Sequence, residues 1–238
     1  MENATYATLT RQSGLMSELR AVANNIANAS TTGYRAEGVV FAEHVAGLGS
    51  DHPSLSMAMA TGRVTSWEQG TLAQTGSPFD LAIEGDGFFM VQTPGGERLT
   101  RNGHFTTNEN GDLVTHEGHP VLDGGGAPLF IPQGAGPVAI ASDGTVSAGG
   151  QPVGQVGTFR PEDPLTLVRE NGVRFRFDGA PLPAEDARVV QGFLEQSNVN
   201  PIIEVARMIE VQRAYELGQS FLELDDQRIR SLIRDISR

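Results

Sequence analysis

Cysteine and lysine are both missing from this 238-residue chain, and all 17 of its basic residues are arginine. Without cysteine the chain can form neither a disulfide framework nor a thiolate metal site. Without lysine it has no P-loop lysine, no Schiff-base lysine and no Ser–Lys dyad. Aromatic residues are scarce at 6%, whereas the 29 glycines predict many tight turns and hence a β-rich portion.

Positive charge is also in short supply. The formal net charge is −12 and the pI is near 4.8, and a strongly acidic surface repels phosphate backbones and anionic lipid. The chain opens with Met1-Glu2-Asn3, without the basic and apolar regions of a secretory signal peptide, and no apolar run approaches membrane-spanning length. We therefore expect a globular protein that binds no nucleic acid and does not insert into a membrane.

A first helical pattern covers about residues 3–28. Four apolar residues follow a 4-3-4 spacing that places them on one helix face; they are Leu15, Leu19, Val22 and Ile26. Gly33 can supply the left-handed backbone of a helix C-cap, so the helix is expected to end between residues 28 and 33. The sequence therefore predicts an amphipathic helical segment over residues 1–33.

The middle of the chain divides into two parts. Residues 34–75 lack sustained periodicity and are interpreted as an extended connecting segment. Residues 76–190 carry frequent Asn-Gly and Asp-Gly pairs, such as Asp86-Gly87, which suit hairpin turns with positive φ. Short apolar or alternating runs lie between these pairs, as over residues 173–177. This region is predicted to be an antiparallel β domain.

Residues 191–238 are predicted to be a return segment followed by a second helix over 202–236. Nine residues of this helix step 3-4-3-4 in a heptad seam with breaks at its glycine and its aspartate; they are Met208, Val211, Tyr215, Gly218, Leu222, Asp225, Ile229, Leu232 and Ile236. Phe221, Leu224 and Ile233 widen the apolar stripe beyond what one partner helix covers. The predicted fold class is therefore α+β, with N- and C-terminal coiled-coil helices paired in one layer and a central antiparallel β domain.

Several sequence blocks, in the same order along nearly the whole chain, resemble the rod and hook axial proteins of the bacterial flagellum. The blocks are ANNIANASTTGY (residues 23–34), QGTL (69–72), FDLAIEGDGFF (79–89), LTRNGHF (99–105), SNVN (197–200) and QRAYE (212–216). The chain is most similar to the proximal-rod (FlgF) type of that family.

The resemblance implies a structural subunit of the flagellar basal-body rod that polymerises through its terminal helices. It implies two kinds of neighbour, which are copies of the chain itself and other proximal and distal rod proteins. It also implies export through the flagellar type III apparatus without signal cleavage, and a place in the periplasmic rod. Asn24, Asn25 and Asn28 are then interpreted as polar groups at the assembly interface, or alternatively as a solvated helix end.

No catalytic, cofactor or metal site is predicted. His116 and His119 have a spacing that zinc sites use, but they flank a glycine in a predicted turn. Asp80 and Glu84 lack a convergent nucleophile in the sequence. Two alternatives stay open, which are a distal-rod or hook subunit of the same family and, in another class, a secreted oligomeric β-domain binding module.

Overall fold

The computed structural model describes residues 2–46 and 55–236. Within these residues, β structure lies between a first and a last helix. The first helix, α1, spans Glu2–Ala27 and the last, α2, spans Pro201–Ile236. Both agree closely with the predicted helices, and the α+β class is confirmed.

Within the described residues, seventeen strands lie between the helices. In chain order they are β1 Glu37–Ala46, β2 Leu55–Thr65, β3 Leu72–Gln74, β4 Leu81–Glu84, β5 Phe88–Thr93, β6 Gly96–Thr100, β7 Phe105–Thr107, β8 Leu113–Thr115, β9 Val138–Ile140, β10 Thr145–Ala148, β11 Gln151–Gln155, β12 Thr158–Arg160, β13 Val168–Glu170, β14 Arg174–Arg176, β15 Leu182–Pro183, β16 Arg188–Gln191 and β17 Phe193–Glu195.

The chain folds into two compact units. Unit 1 contains α1, the strands β1 and β2, and α2, whereas unit 2 contains residues 28–35 and 67–199. Unit 2 includes the predicted β domain and extends it on both sides, because β17 pairs with β3 and so joins the predicted return segment to residues 72–74.

A hairpin in unit 1 was missed by the sequence analysis, which predicted only an extended connection over residues 34–75. β1 and β2 pair antiparallel, with a bulge between Val40 and Phe41. The consecutive apolar residues of β1 do not alternate with polar ones, so the usual strand period is absent. An isolated two-stranded hairpin is marginally stable, and this one packs on α1, where a Cβ on Gly14 would lie 2.6 Å from the Phe41 ring.

The six-stranded sheet of unit 2 is buried on both faces at its strand β5. It has six strands in the order β13-β14-β6-β5-β12-β15. Because side chains alternate along a strand, β5 sends Phe89 and Val91 into one apolar cluster and Phe88 and Met90 into another. This arrangement explains the continuous apolar run of residues 88–91.

The turn at residues 85–87 differs from its prediction. The left-handed residue is Gly85, with φ 93°, and not Gly87. Gly87 is instead buried where space is short, since a Cβ there would lie 3.2 Å from the Cβ atoms of Ala184 and Ala187. Asp86 is exposed at the turn.

Gly33 adopts φ 69°, the left-handed backbone that the sequence predicts there, but it does not cap α1, which ends at Ala27. It lies in a later turn, closed by a hydrogen bond from the Tyr34 N–H to the Thr31 carbonyl at 3.2 Å. At the start of α2 the Asn200 Oδ1 atom accepts hydrogen bonds from the backbone N–H groups of Ile202 and Ile203, at 3.1 and 3.3 Å. Pro201 takes the first helical position, where its missing N–H costs nothing.

Candidate assembly surface

Polar contacts fix α1 and α2 against each other in unit 1. Gln12 Nε2 donates to the backbone oxygen of Tyr215 at 3.1 Å, and the Glu18 carboxylate pairs with the Arg207 guanidinium at 2.8 Å. Gly218 makes the first contact possible, because a Cβ there would lie 2.6 Å from Gln12 Nε2. The break in the predicted seam at Gly218 is therefore the point where α1 approaches the α2 backbone.

The predicted apolar residues of α1 form its covered face. Leu15 and Val22 are buried, and Leu19 and Ile26 are half-buried. Their main role within the chain is therefore to hold unit 1 together.

The predicted α2 seam is covered only along its first part. Its early members are buried or half-buried; they are Met208, Val211, Tyr215, Gly218 and Leu222. Further along, Ile229 and Leu232 are 46% and 47% exposed. The side chain of Ile236 lies outside the described part of the structure. The seam residues thus change from covered to exposed near Asp225.

α2 also carries a set of exposed apolar side chains, in which the seam residues Ile229 and Leu232 are joined by others that lie beside the seam. We call it the exposed stripe; it consists of Ile202, Ile203, Val205, Ile209, Leu217, Phe221, Leu224, Ile229, Leu232 and Ile233. Ile202 is 80% exposed, Leu217 72% and Leu224 63%. Leu217, Phe221 and Leu224 follow i, i+4, i+7 spacing and so share one helix face.

A groove of about 360 Å³ between α1 and α2 adjoins the exposed stripe. Leu15 lines it from α1, and Leu217 and Phe221 line it from α2, with Arg11 among its polar residues. The stripe and the groove together form an apolar surface with one cationic group in it. Contiguous apolar surface of this kind marks sites of protein–protein interaction.

Asn25, which was predicted to lie at an assembly interface, is buried inside unit 1. Its side chain donates to the Glu37 carbonyl at 2.8 Å and to Glu204 Oε2 at 3.2 Å, and it accepts from the Glu37 N–H at 2.9 Å. The amide therefore pairs with the start of β1 much as another strand would, and it ties α1 to both β1 and α2. Within the chain Asn25 is thus a structural residue of unit 1, and its place at an assembly interface stays a prediction.

The other two asparagines of the N-terminal block occupy different settings. Asn24 is exposed on α1. Asn28 is half-buried at the helix end, where its Oδ1 accepts from Thr31 Oγ1 at 3.2 Å and its backbone oxygen accepts from the Thr31 N–H at 3.0 Å. Asn28 thus shapes the turn that leads to Gly33.

A buried ionic cluster in unit 2 was not predicted. Glu195 lies between two arginines, with Oε1 at 2.9 Å from Arg35 Nη2 and Oε2 at 3.1 Å from Arg101 Nη1. All three side chains are almost completely excluded from solvent. Arg101 also donates to the Ile83 and Gly85 carbonyls, at 3.1 and 2.6 Å.

Burial governs the electrostatics of this cluster. Loss of hydration lowers the pKa of Arg35, opposed by the charges of Glu195 and Asp86. The same loss of hydration lowers the pKa of Arg101 to about 10, again opposed by Glu195. Arg101 therefore stays charged at neutral pH, and two buried cations share one buried carboxylate. Within the described residues, the Nε atoms of Arg35 and Arg101 make no hydrogen bond.

The cluster gathers residues that lie in or beside the sequence blocks carrying the family resemblance. Arg35 follows the block ending at Tyr34, Arg101 lies in LTRNGHF, and Glu195 stands two residues before SNVN. One signal could have pointed to it, namely that Arg35 and Arg101 are charged residues two positions from a glycine in turn-forming blocks. Sequence spacing alone could not show that these blocks meet.

Histidines of unit 2 face single carboxylates. His104 Nδ1 lies 2.7 Å from Asp80 Oδ1, and His119 Nε2 lies 3.3 Å from Glu117 Oε2. Across residues 2–46 and 55–236, no three or more His, Asp or Glu side chains are placed to hold a metal ion. Among the described helices, none is both long and apolar enough to cross a membrane.

The fold and this surface are typical of a structural protein, which acts through contacts with other molecules rather than through a ligand pocket. A β unit is followed by a 36-residue helix that leaves a stripe of apolar side chains uncovered. Apolar side chains of this kind become buried when a neighbouring molecule packs against them.

Comparison with known proteins identifies the family. Three family models match, described as a flagella basal body rod protein over residues 8–35, a flagellar hook protein FlgE/F/G D1 domain over 82–148, and a flagellar basal body rod FlgEFG protein C-terminal region over 190–235. The chain is 43% identical to the flagellar basal-body rod protein FlgF of Caulobacter vibrioides, over 100% of this chain and 99% of that protein.

Two further relatives span most of the chain. Identity is 42% to FlgF of Mesorhizobium japonicum, over 91% of this chain and 90% of that protein. It is 31% to the rod protein FlgG of Caulobacter vibrioides, over 94% and 97%. The chain belongs to the family of flagellar basal-body rod proteins. The predictions of this family and of a structural, non-enzymatic rod protein are confirmed.

Proposed function

We propose that the chain is a subunit of the proximal rod and polymerises through its terminal helices, with α1 and α2 forming part of a coiled-coil layer. Its neighbours are copies of itself and other proximal and distal rod proteins. It reaches the periplasm through the flagellar type III export apparatus, without a cleaved signal peptide. Its role is mechanical, since it helps to build the drive shaft that turns the flagellum.

The exposed stripe of α2 carries this proposal. Burying one leucine-sized side chain on association contributes about 1.5–3 kcal/mol before the costs of ordering are counted. Ten exposed apolar side chains on one helix therefore supply enough driving force for repeated subunit contacts. When such contacts join different patches on successive copies, they generate a helical lattice.

Relative identity supports the proximal type over the distal type. Within one organism, Caulobacter vibrioides, the chain is 43% identical to FlgF and 31% identical to FlgG, with near-complete coverage in both comparisons. The resemblance noted in the sequence blocks favours the same assignment. A binding module with a sugar-stacking aromatic cluster is less well supported, because the chain has one tryptophan and three tyrosines.

The test of this function is Leu217→Asp. Leu217 is 72% exposed, so the change should alter the stability of the isolated chain by no more than about 0.5 kcal/mol. In cells lacking their own copy of the gene, the variant should give incomplete rods in purified basal bodies and loss of swimming. The matched control is Gln219→Asp, which adds the same charge at an exposed polar position of α2. Full-length rods and normal swimming with Leu217→Asp would refute the role of the stripe.

A further inference from the structure

The three segments by which the chain passes between its units come together inside unit 2. The chain enters unit 2 at residue 28 and leaves after Arg35, returns at Trp67, and leaves again after Val199. Residues 33–35, 67–70 and 195–198 therefore stand next to the points of passage. All three segments contact the buried ionic cluster.

Glu195 makes contacts to two of these segments with both its main chain and its side chain. Its backbone oxygen accepts from the Gly33 N–H at 2.7 Å. Its Oε1 atom accepts from the Gly70 N–H at 3.0 Å as well as from Arg35. Gly70 can approach only because it lacks a side chain, since a Cβ there would lie 1.9 Å from the Gln196 carbonyl oxygen.

Arg35 and Asn198 complete the connections. Arg35 Nη1 donates to the Trp67 carbonyl at 2.6 Å and also bonds the Glu68 carbonyl. Asn198 donates from its backbone to the Tyr34 carbonyl at 3.3 Å and from its side chain to the Glu68 carbonyl at 2.8 Å. Every pair among the three segments is thus joined by at least one hydrogen bond.

A gain in stability does not explain the choice of these residues. Taking charges out of water is costly, and a buried ion pair can often be replaced by apolar residues without loss of stability. Here two cations share one carboxylate, which increases that cost. Charged groups instead supply directional hydrogen bonds. A guanidinium that is bonded to a carboxylate and to carbonyl oxygens holds each segment in one arrangement.

We propose that Arg35, Arg101 and Glu195 form a clasp that holds the three segments leaving unit 2 in one fixed arrangement, so that force applied through those segments acts on the β unit as a whole. The mechanical part of this proposal rests on the proposed function in the rod. The clasp itself is a property of the isolated chain, and it can be tested without assembly.

Arg35→Met is the informative variant. It removes one of two cations, leaves Arg101 balanced by Glu195, and keeps an apolar side chain of similar length, so unit 2 should still fold. In the purified full-length chain, amide hydrogen exchange at Gly33, Gly70 and Asn198 should become faster by roughly tenfold or more. Without the clasp, local opening of these segments breaks fewer contacts and therefore needs less free energy. Exchange in the core of unit 2, at Leu113 and Val121, should stay as in the wild type.

Arg98→Met is the matched control. Arg98 pairs with Glu170 at 2.7 Å in the same unit, between β6 and β13, and its further hydrogen bond goes to the Glu97 carbonyl. It should leave exchange at Gly33, Gly70 and Asn198 unchanged. Unchanged exchange at these amides in Arg35→Met would overturn the clasp. An equal rise in the core would also overturn it, because Arg35 would then support stability in general.

Swimming against load tests the mechanical part. Cells carrying Arg35→Met should build rods of normal length and swim at normal speed in dilute medium, but lose speed more steeply than the wild type as viscosity rises. Faster exchange with an unchanged response to viscosity would overturn force transmission by the clasp. Loss of rods with Leu217→Asp is a separate outcome that concerns assembly alone, so failure of either proposal can be recognised.

Discussion

Gly33→Ala should destabilise unit 2 far more than an alanine at another left-handed glycine. Gly33 has φ 69°, where a Cβ costs roughly 1–2 kcal/mol. The added Cβ would also lie 2.4 Å from Asn102 N and 2.5 Å from Arg101 C. These are backbone atoms that cannot rotate away, and overpacking of this kind costs about 1–3 kcal/mol. The expected total is about 2–5 kcal/mol.

Gly76→Ala is the matched control. Gly76 has φ 75° in the same unit, but a Cβ there would have no heavy atom within 4 Å. It should therefore cost only the backbone term of about 1–2 kcal/mol. The difference of about 1–3 kcal/mol between the two variants isolates the close approach of residues 101 and 102.

Fluorescence of Trp67 provides the assay. It is the one tryptophan of the chain, and it belongs to unit 2. Guanidinium unfolding gives the free-energy difference from the midpoint and slope, and thermal unfolding should place Gly33→Ala about 2–12 °C below the control. If the two variants unfold within about 0.5 kcal/mol of each other, the backbone of residues 101–102 yields to the new methyl group and the reasoning fails.

Three further perturbations address other contacts. Gly218→Ala should displace Gln12 from the Tyr215 carbonyl, with a loss of about 1 kcal/mol for the hydrogen bond and about 1–3 kcal/mol for overpacking, offset by about 1 kcal/mol of helix propensity; helical circular dichroism should melt earlier, whereas an unchanged melt would show that the contact is dispensable. Asn25→Leu removes the hydrogen bonds of the Asn25 amide to the Glu37 N–H and C=O groups and should lower the free energy of unfolding by about 2–3 kcal/mol in the same measurement. An unchanged melt would show that the hairpin rearranges and that these bonds are not needed. The backbone N–H and the hydroxyl of Thr145 both donate to the Asp143 carboxylate and lower its pKa. Thr145→Val removes the hydroxyl and should raise the Asp143 pKa toward its ordinary value in an NMR titration. Because the pKa of Asp143 is depressed in the folded chain, the stabilisation by these hydrogen bonds is present at neutral pH and is lost as the pH falls through that pKa.

The elements that obey simple periodicity could be predicted from sequence. The 3-4 spacing from Met208 to Leu222 predicted α2, which starts at Pro201, one residue before the predicted start. Gly33 was predicted in its left-handed conformation because helix ends commonly need one.

Features that lack a periodic pattern or depend on distant partners could not be predicted in this way. β1 reads as an irregular segment because its consecutive apolar residues do not alternate with polar ones. The Arg35–Glu195–Arg101 cluster joins residues as far apart as positions 35 and 195, which only the folded chain brings together. Gly87 was predicted to need positive φ, but its constraint is lateral space beside two alanines.

The contacts that close unit 1 also set the order in which the protein can fold. Asn25 meets Glu204 across 179 positions, and Gln12 meets Tyr215 across 203. The inner face of α1 has no covering helix until the two ends of the chain meet. Unit 2 contains pairings between strands that are close in sequence, such as β5 with β6 and β7 with β8, and these can form first. Unit 1 must wait for α2, and because contacts this distant form slowly, closing it is expected to be the late step of folding.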